Sequence, residues 1–167
     1  MKTLATQYAT VKACTEEIIG QNEATMESLP AFFGPSAFID FIHTLQLAIS
    51  GADLSFAAPL SFDAVIPKGA IRVSDMFNLY RYENMLYTMR LTGREVKDYL
   101  EYSYAGWVAQ MKKPTDHLLL FRANAEQLSD SWQRLRTPSF NFDSAAGLRY
   151  TVDVTKPAGQ RITITSL

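Results

Sequence analysis

Tyr80, Tyr82 and Asn84 stand at alternate positions just ahead of an alternating apolar run, with Arg81 and Glu83 between them. These types suit a flat, polar ligand. A tyrosine ring can stack on a planar base, and such stacking tolerates any base. An asparagine offers both a donor and acceptors to a base edge. A second group, "SFNFD", holds Phe140 and Asp143. Asp143 could accept hydrogen bonds from ribose hydroxyls, or could shape the turn before Gly147. The same ambiguity holds for Tyr80 and Tyr82, which would also serve as packing residues at a strand end.

Other chemistry is thin. There is no Gly-rich phosphate loop, no H-E-x-x-H and no G-x-S-x-G. His43 and His117 are the only histidines, and they lie far apart in the chain. A catalytic metal site draws on several His and carboxylate ligands. His43 reads as a helix-flank histidine with a satisfied hydrogen bond, and His117 as exposed. Cys14, the single cysteine, cannot form an internal disulfide and reads as a small buried hydrophobe. A net charge of −1 implies no basic face for nucleic acid. No apolar run approaches the roughly 20 residues of a membrane helix, and the start lacks a signal-peptide core. The length fits one domain with a substantial core.

The elements that must position these residues follow from local pattern. "LATQYATVKACTEEI" is loosely helical. Residues 28–36, with two prolines and a glycine, form a loop. Ser36 is an N-cap for a helix whose stripe is Phe38, Ile42, Leu45 and Ile49, and Gly51 is its stop. "ADLSFAAPL" is a short buried strand ended by Pro59. A turn falls at Pro67, Lys68 and Gly69, and Ser74 caps a short helix through Leu79. "NMLYTMRL" alternates as a strand does. Thr92 and Glu95 make a capping box for a helix with Val96, Tyr99, Leu100, Tyr104 and Trp107 inward and Ser103 at the edge. "DHLLLF" is a candidate strand, and "NAEQLSDSWQRLR" a loop or short helix. "LRYTVDV" and "RITITSL" form a hairpin around "TKPAGQ". Interspersed helices and strands with an antiparallel close predict an α+β fold, with mixed sheets flanked by helices.

Two long blocks carry a resemblance. Residues 52–103, "ADLSFAAPLSFDAVIPKGAIRVSDMFNLYRYENMLYTMRLTGREVKDYLEYS", resemble the C-terminal domain of the 5′-nucleotidase family. They are most similar to its 2′,3′-cyclic-nucleotide 2′-phosphodiesterase/3′-nucleotidase branch. The "AAP" strand end, the P-x-G turn, the Y-x-Y-x-N segment, "TG" and a helix ending "YLE" occur in the family's order. "PSFNFDSAAGLRYTVDVTKP" matches a second element of that branch, and the matches together cover most of residues 34–167. The resemblance implies the accessory half of an exported, periplasmic or secreted, two-domain phosphoric ester hydrolase. An N-terminal metallophosphatase-like domain would hold two divalent metal ions and do the chemistry. The C-terminal domain would supply the nucleoside pocket, with Tyr82 in the base-stacking platform and Asn84 as base-edge partner.

Three departures qualify what the resemblance implies. The metal-binding motifs are absent, so this chain is expected to hold no cofactor and to hydrolyse nothing alone. The family's "NGGGIR" phosphate segment is replaced by "AAPLSFD", without its arginine. The family's second stacking aromatic would follow the hairpin, where this chain reaches Leu167. The expectation is therefore one domain, residues 1–167, shortened at its C-terminus, with Tyr82, Asn84, Tyr80, Phe140 and Asp143 as substrate-binding residues and no metal ligands. Its partners would be a nucleoside or nucleotide and the metallophosphatase domain, not nucleic acid or membrane. A stand-alone nucleoside-binding module, or an interaction module dimerising through an open apolar surface, are the alternatives.

Overall fold

A computed structural model of the chain describes residues 2–80 and 82–166. The order is α1 (Lys2–Thr15), β1 (Ile18–Asn22), β2 (Met26–Glu27), α2 (Ala37–Ser50), β3 (Ser55–Ala57), β4 (Val65–Ile66), β5 (Gly69–Arg72), α3 (Val73–Leu79), α4 (Gly93–Trp107), α5 (Ser131–Arg134), β6 (Ser144–Ala146), β7 (Arg149–Val152) and β8 (Ile162–Ser166). The strands pair two by two and antiparallel: β1 with β5, β2 with β4, β3 with β6, β7 with β8. The fold is α+β, small sheets set among helices.

Local chemistry sets the ends of the two long central helices. The Ser36 hydroxyl accepts from the Ile39 N–H at the head of α2. Gly51 closes α2 at φ 64°, a left-handed conformation that costs a glycine nothing. At the head of α4 the Thr92 hydroxyl accepts from the Glu95 N–H, and the Glu95 carboxylate accepts from the Thr92 N–H at 2.7 Å.

Each helix organises its own core. Around α4, Val96, Leu100, Tyr104 and Trp107 pack with Phe32, Phe142 and Ile162. Trp107 is stacked between Tyr104 and Phe142, and its indole N–H donates to the Phe32 carbonyl at 3.1 Å. The hairpin β7–β8 is lashed to α4 by Arg161, whose buried guanidinium donates to the Tyr104 and Val108 carbonyls. Around α2, Phe38, Ile39 and Ile42 pack with Met26, Ile66 and Leu79. The pair β3–β6 joins the halves. Its register is Ser55 to Ala146, Phe56 to Ala145 and Ala57 to Ser144, and β6 touches both α2 and α4.

Several expectations fail, each for a physical reason. "NMLYTMRL" is not a strand: its residues alternate, but no described strand runs beside them, and a ladder needs a partner. Met85, Tyr87 and Met89 are instead among the most exposed apolar side chains, each above 70%. "DHLLLF" makes only isolated bridges, Leu119 to Val108 and Phe121 to Leu135. The stripe on α2 is buried in its first half, while Leu45 and Ile49 stay exposed. Tyr99 lies at the flank of α4, 39% exposed. Cys14 is exposed, because α1 presents no continuous apolar face and leaves Leu4, Tyr8 and Val11 in solvent as well. The short helix begins at Val73, not Ser74; there the Asp75 carboxylate accepts from the Arg72 N–H at 2.7 Å.

Gly147 ends β6 at φ 89°, and a Cβ there would run into the Asp53 carbonyl oxygen just before β3. Both faults act on the joint between the halves. Gly147→Ala is expected to destabilise the fold by about 2 kcal/mol or more. Urea unfolding monitored by tryptophan fluorescence checks this, and a midpoint equal to wild type would refute it.

Candidate functional site

One cleft of about 370 Å³ is lined by Tyr80, Tyr82, Asn84, Phe140 and Asp143, so the five residues singled out in the sequence share one space. Three chain segments bring them together. Tyr80 is the C-cap of α3, and Tyr82 and Asn84 follow it. Phe140 lies in a 3₁₀ turn, Ser139–Asn141, which packs on α4. Asp143 precedes β6, and Ser103 of α4 donates to its carbonyl at 2.8 Å. The floor is the end of β3, through Phe56, Ala57 and Ala58. Small alanines there leave room that larger side chains would fill.

Tyr82 and Phe140 are about half exposed, at 48% and 52%. Both rings, Tyr82 and Phe140, are accessible from the cleft. The Asn84 side-chain N–H donates to the Tyr80 hydroxyl at 2.8 Å. That bond holds the carboxamide at the cleft, where its other end is free to meet a ligand.

Asp143 is the cleft's carboxylate. Burial pushes its carboxyl above the usual range, and the hydrogen bond donated by the Tyr99 hydroxyl to Oδ2 draws it partway back. Burial, then the neighbouring carboxylate, pushes the Tyr99 phenol up. Tyr99 thus stays a neutral donor and holds Asp143 in place, leaving Oδ1 for the cleft.

Behind the cleft lies a buried polar chain. Ser55 Oγ donates to Gln46 Oε1 at 2.5 Å and lies 2.9 Å from His43 Nδ1. His43 Nε2 is hydrogen-bonded to the Ser144 hydroxyl at 3.1 Å, and that hydroxyl also reaches the Ala57 carbonyl at 3.3 Å. Burial holds the His43 pKa below its ordinary 6.5 against the pull of Asp40, which favours the neutral ring. Gln46 ends the chain at the cleft wall. Gln46, Tyr80 and Asn84 also border a smaller apolar cleft of about 230 Å³ beside Leu45, Ile49 and Met85.

Among the described residues, no three His, Cys, Asp or Glu side chains gather as metal ligands. Nor is any described helix long and apolar enough to cross a membrane.

The sequence profile described as "5'-nucleotidase, C-terminal domain" matches residues 14–167. The chain belongs to the 5′-nucleotidase C-terminal domain family. Curated relatives support this over part of the chain. The trifunctional nucleotide phosphoesterase YfkN of Bacillus subtilis is 39% identical over 56% of this chain. The 2′,3′-cyclic-nucleotide 2′-phosphodiesterase/3′-nucleotidase of Salmonella typhimurium is 34% identical over 60% of it. The chain spans only 6% and 14% of these relatives' own lengths. Among solved structures, one described as a 5′-nucleotidase from Staphylococcus aureus in complex with α-ketoglutarate superposes with a TM-score of 0.72 over 94% of this chain at 22% identity. A 5′-nucleotidase precursor from Thermus thermophilus gives 0.64 over 97% at 20% identity. The chain covers 29% and 27% of those two. They share this family's fold.

Gln46 and Tyr99 were not foreseen as site residues. Gln46 sits midway along α2 beside the predicted stripe, and only its contacts with residues of β3 reveal its position. Tyr99 falls within the predicted inner face, where periodicity treats it as core.

The raised carboxyl of Asp143 carries a sign. Its contribution favours the folded state fully below the ordinary value of 3.8 and is lost as pH rises through the raised value. Tyr99→Phe removes the donor that opposes the rise, so the Asp143 titration midpoint should move further up. Carboxyl-carbon NMR against pH checks this. A midpoint that stays or falls would contradict the role given to Tyr99.

Proposed function

We propose that this domain recognises the nucleoside part of a nucleotide for a metal-dependent phosphoric ester hydrolase and performs no hydrolysis itself. The observation that carries the reading is the meeting of Tyr82, Asn84, Phe140 and Asp143 in one cleft of a chain from this family. The base lies against Tyr82 and Phe140, whose exposed rings suit a flat, apolar-faced ligand. Asn84 Oδ1 accepts from the base edge. Asp143 Oδ1 accepts from ribose hydroxyls, which a carboxylate bonds more strongly than a neutral acceptor would.

The contribution to catalysis is positional. Fixing base and sugar converts the encounter of phosphate and catalytic groups into a step within one complex. The catalytic groups belong to an N-terminal metallophosphatase domain with divalent metal ions, and no step of that chemistry runs through the residues described here. Substrates of the nucleotidase and cyclic phosphodiesterase types agree with the names of the curated relatives. Export to the periplasm or beyond agrees with the precursor among the solved relatives.

Adenosine titrated into the chain should shift the Tyr82 ring resonances. Tyr82→Ala should weaken binding about tenfold, the loss of one base–aromatic stack. No shift at millimolar adenosine, or equal affinity in the variant, would sink the reading.

A further inference from the structure

Residues 84–91 lie between α3 and α4 and belong to no helix or strand. None of their backbone N–H or C=O groups is hydrogen-bonded among the described residues. Every one of them is exposed. Exposure follows the alternation of the sequence: Met85, Tyr87 and Met89 are each above 70%, and Leu86, between the first two, is at 46%. Leu45 and Ile49 of α2, also exposed, share a cleft with Met85 and Leu86. Neighbouring exposed apolar side chains of this kind mark an interaction surface. A row of unpaired main-chain groups is a template for an added strand. The segment has the pattern of a strand and lacks only its partner.

We propose that this segment is an interface between two copies of the chain, residues 84–92 of each pairing antiparallel about a two-fold axis. The pattern selects the occupant. Such an axis runs perpendicular to the two-stranded ribbon, so every residue meets one of its own parity in the other copy. The apolar odd positions, Met85, Tyr87, Met89 and Leu91, therefore share one face in both strands. That is the self-complementarity an isologous contact demands. Charge and the start of α4 then set the register. Centred on Thr88, the pairing puts Met85 against Leu91 and Tyr87 against Met89 of the second copy. Leu86 meets the stem of Arg90, and Thr88 meets itself. Centred on Leu86 or Tyr87, it would put Met89 or Leu91 against Glu83. Centred on Met89, it would run Met85 into Gly93, where α4 has begun. Around Thr88 no like charges are opposed, and apolar pairs and a Thr–Thr pair each stabilise a ladder. The backbone groups that would pair have no other protein partner to give up.

The test is the mass of the full chain in solution, by analytical ultracentrifugation from micromolar to millimolar concentration. The wild type should pass from one chain to two as concentration rises. Thr88→Pro combined with Met89→Pro removes an N–H from each edge of the segment, and neither N–H has an acceptor within the chain. That variant should keep the unfolding midpoint and lose the dimer. Cross-linking supplies an independent reading, in a Cys14→Ser background because Cys14 is exposed. Thr88→Cys should join two chains under mild oxidation, since residues directly opposite across an antiparallel ladder lie within disulfide reach. Leu86→Cys should not, because its two copies stand four residues apart along the ribbon, about 13 Å. A chain that stays monomeric throughout, a dimer that survives both prolines, or cross-linking at Leu86→Cys equal to that at Thr88→Cys would overturn the proposal.

Discussion

The guanidinium of Arg161 is the tie that the hairpin and the α4 core depend on. It is buried, and it donates to the Tyr104 and Val108 carbonyls and, through Nε, to Lys156 O. The last turn of any helix leaves carbonyls without intrahelical partners, and the negative end of the helix dipole lies there. A planar cation with several donors answers both needs at once, which a lysine could not do in the same geometry. One turn earlier, Glu101 accepts from the Ile162 N–H at 2.6 Å. Its other oxygen, buried and without a hydrogen bond among the described residues, depends on the charge of Arg161. Either residue alone would leave a costly buried charge. Together they fix the hairpin against α4, and Tyr150 of that hairpin bonds Tyr104 and the Ala145 N–H of β6. The tie thus reaches the strand that carries the cleft.

The cleft belongs to neither core. Its floor is β3, from the half built on α2, while Phe140 and Asp143 come from the half built on α4. Polar groups placed there are hydrogen-bonded to protein neighbours. Tyr99 and Ser103 hold Asp143, Tyr80 bonds Asn84, and Ser55 bonds Gln46. Such support limits how far the side chains must be ordered when a ligand enters.

What the sequence made legible was local. Ser36, Gly51, Thr92 and Glu95 act within a turn of themselves, so their pattern determines their role. The hairpin was legible for the same reason. The segment 84–91 was misread because alternation records only that a strand could form, and the partner that decides it is not local. The strand β1 was overlooked because its pairing with β5 lies across α2 in the chain. The grouping of Tyr80, Tyr82 and Asn84 was visible as spacing. Their convergence with Phe140 and Asp143 came only with the fold, and Gln46 was silent because its place at the cleft wall depends on Ser55 of β3.

Separation along the chain also governs when the site comes into being. The β3–β6 ladder closes a loop spanning more than half the chain, and loop closure of this kind precedes any reward from the contacts it permits. Until it closes, neither the floor of the cleft nor the relay behind it exists. Binding competence is therefore a property of the finished fold, absent from any early folding intermediate. A ligand that fills the cleft draws on the stability of the whole chain, and even a weak one slows its unfolding by holding together its longest-range joint.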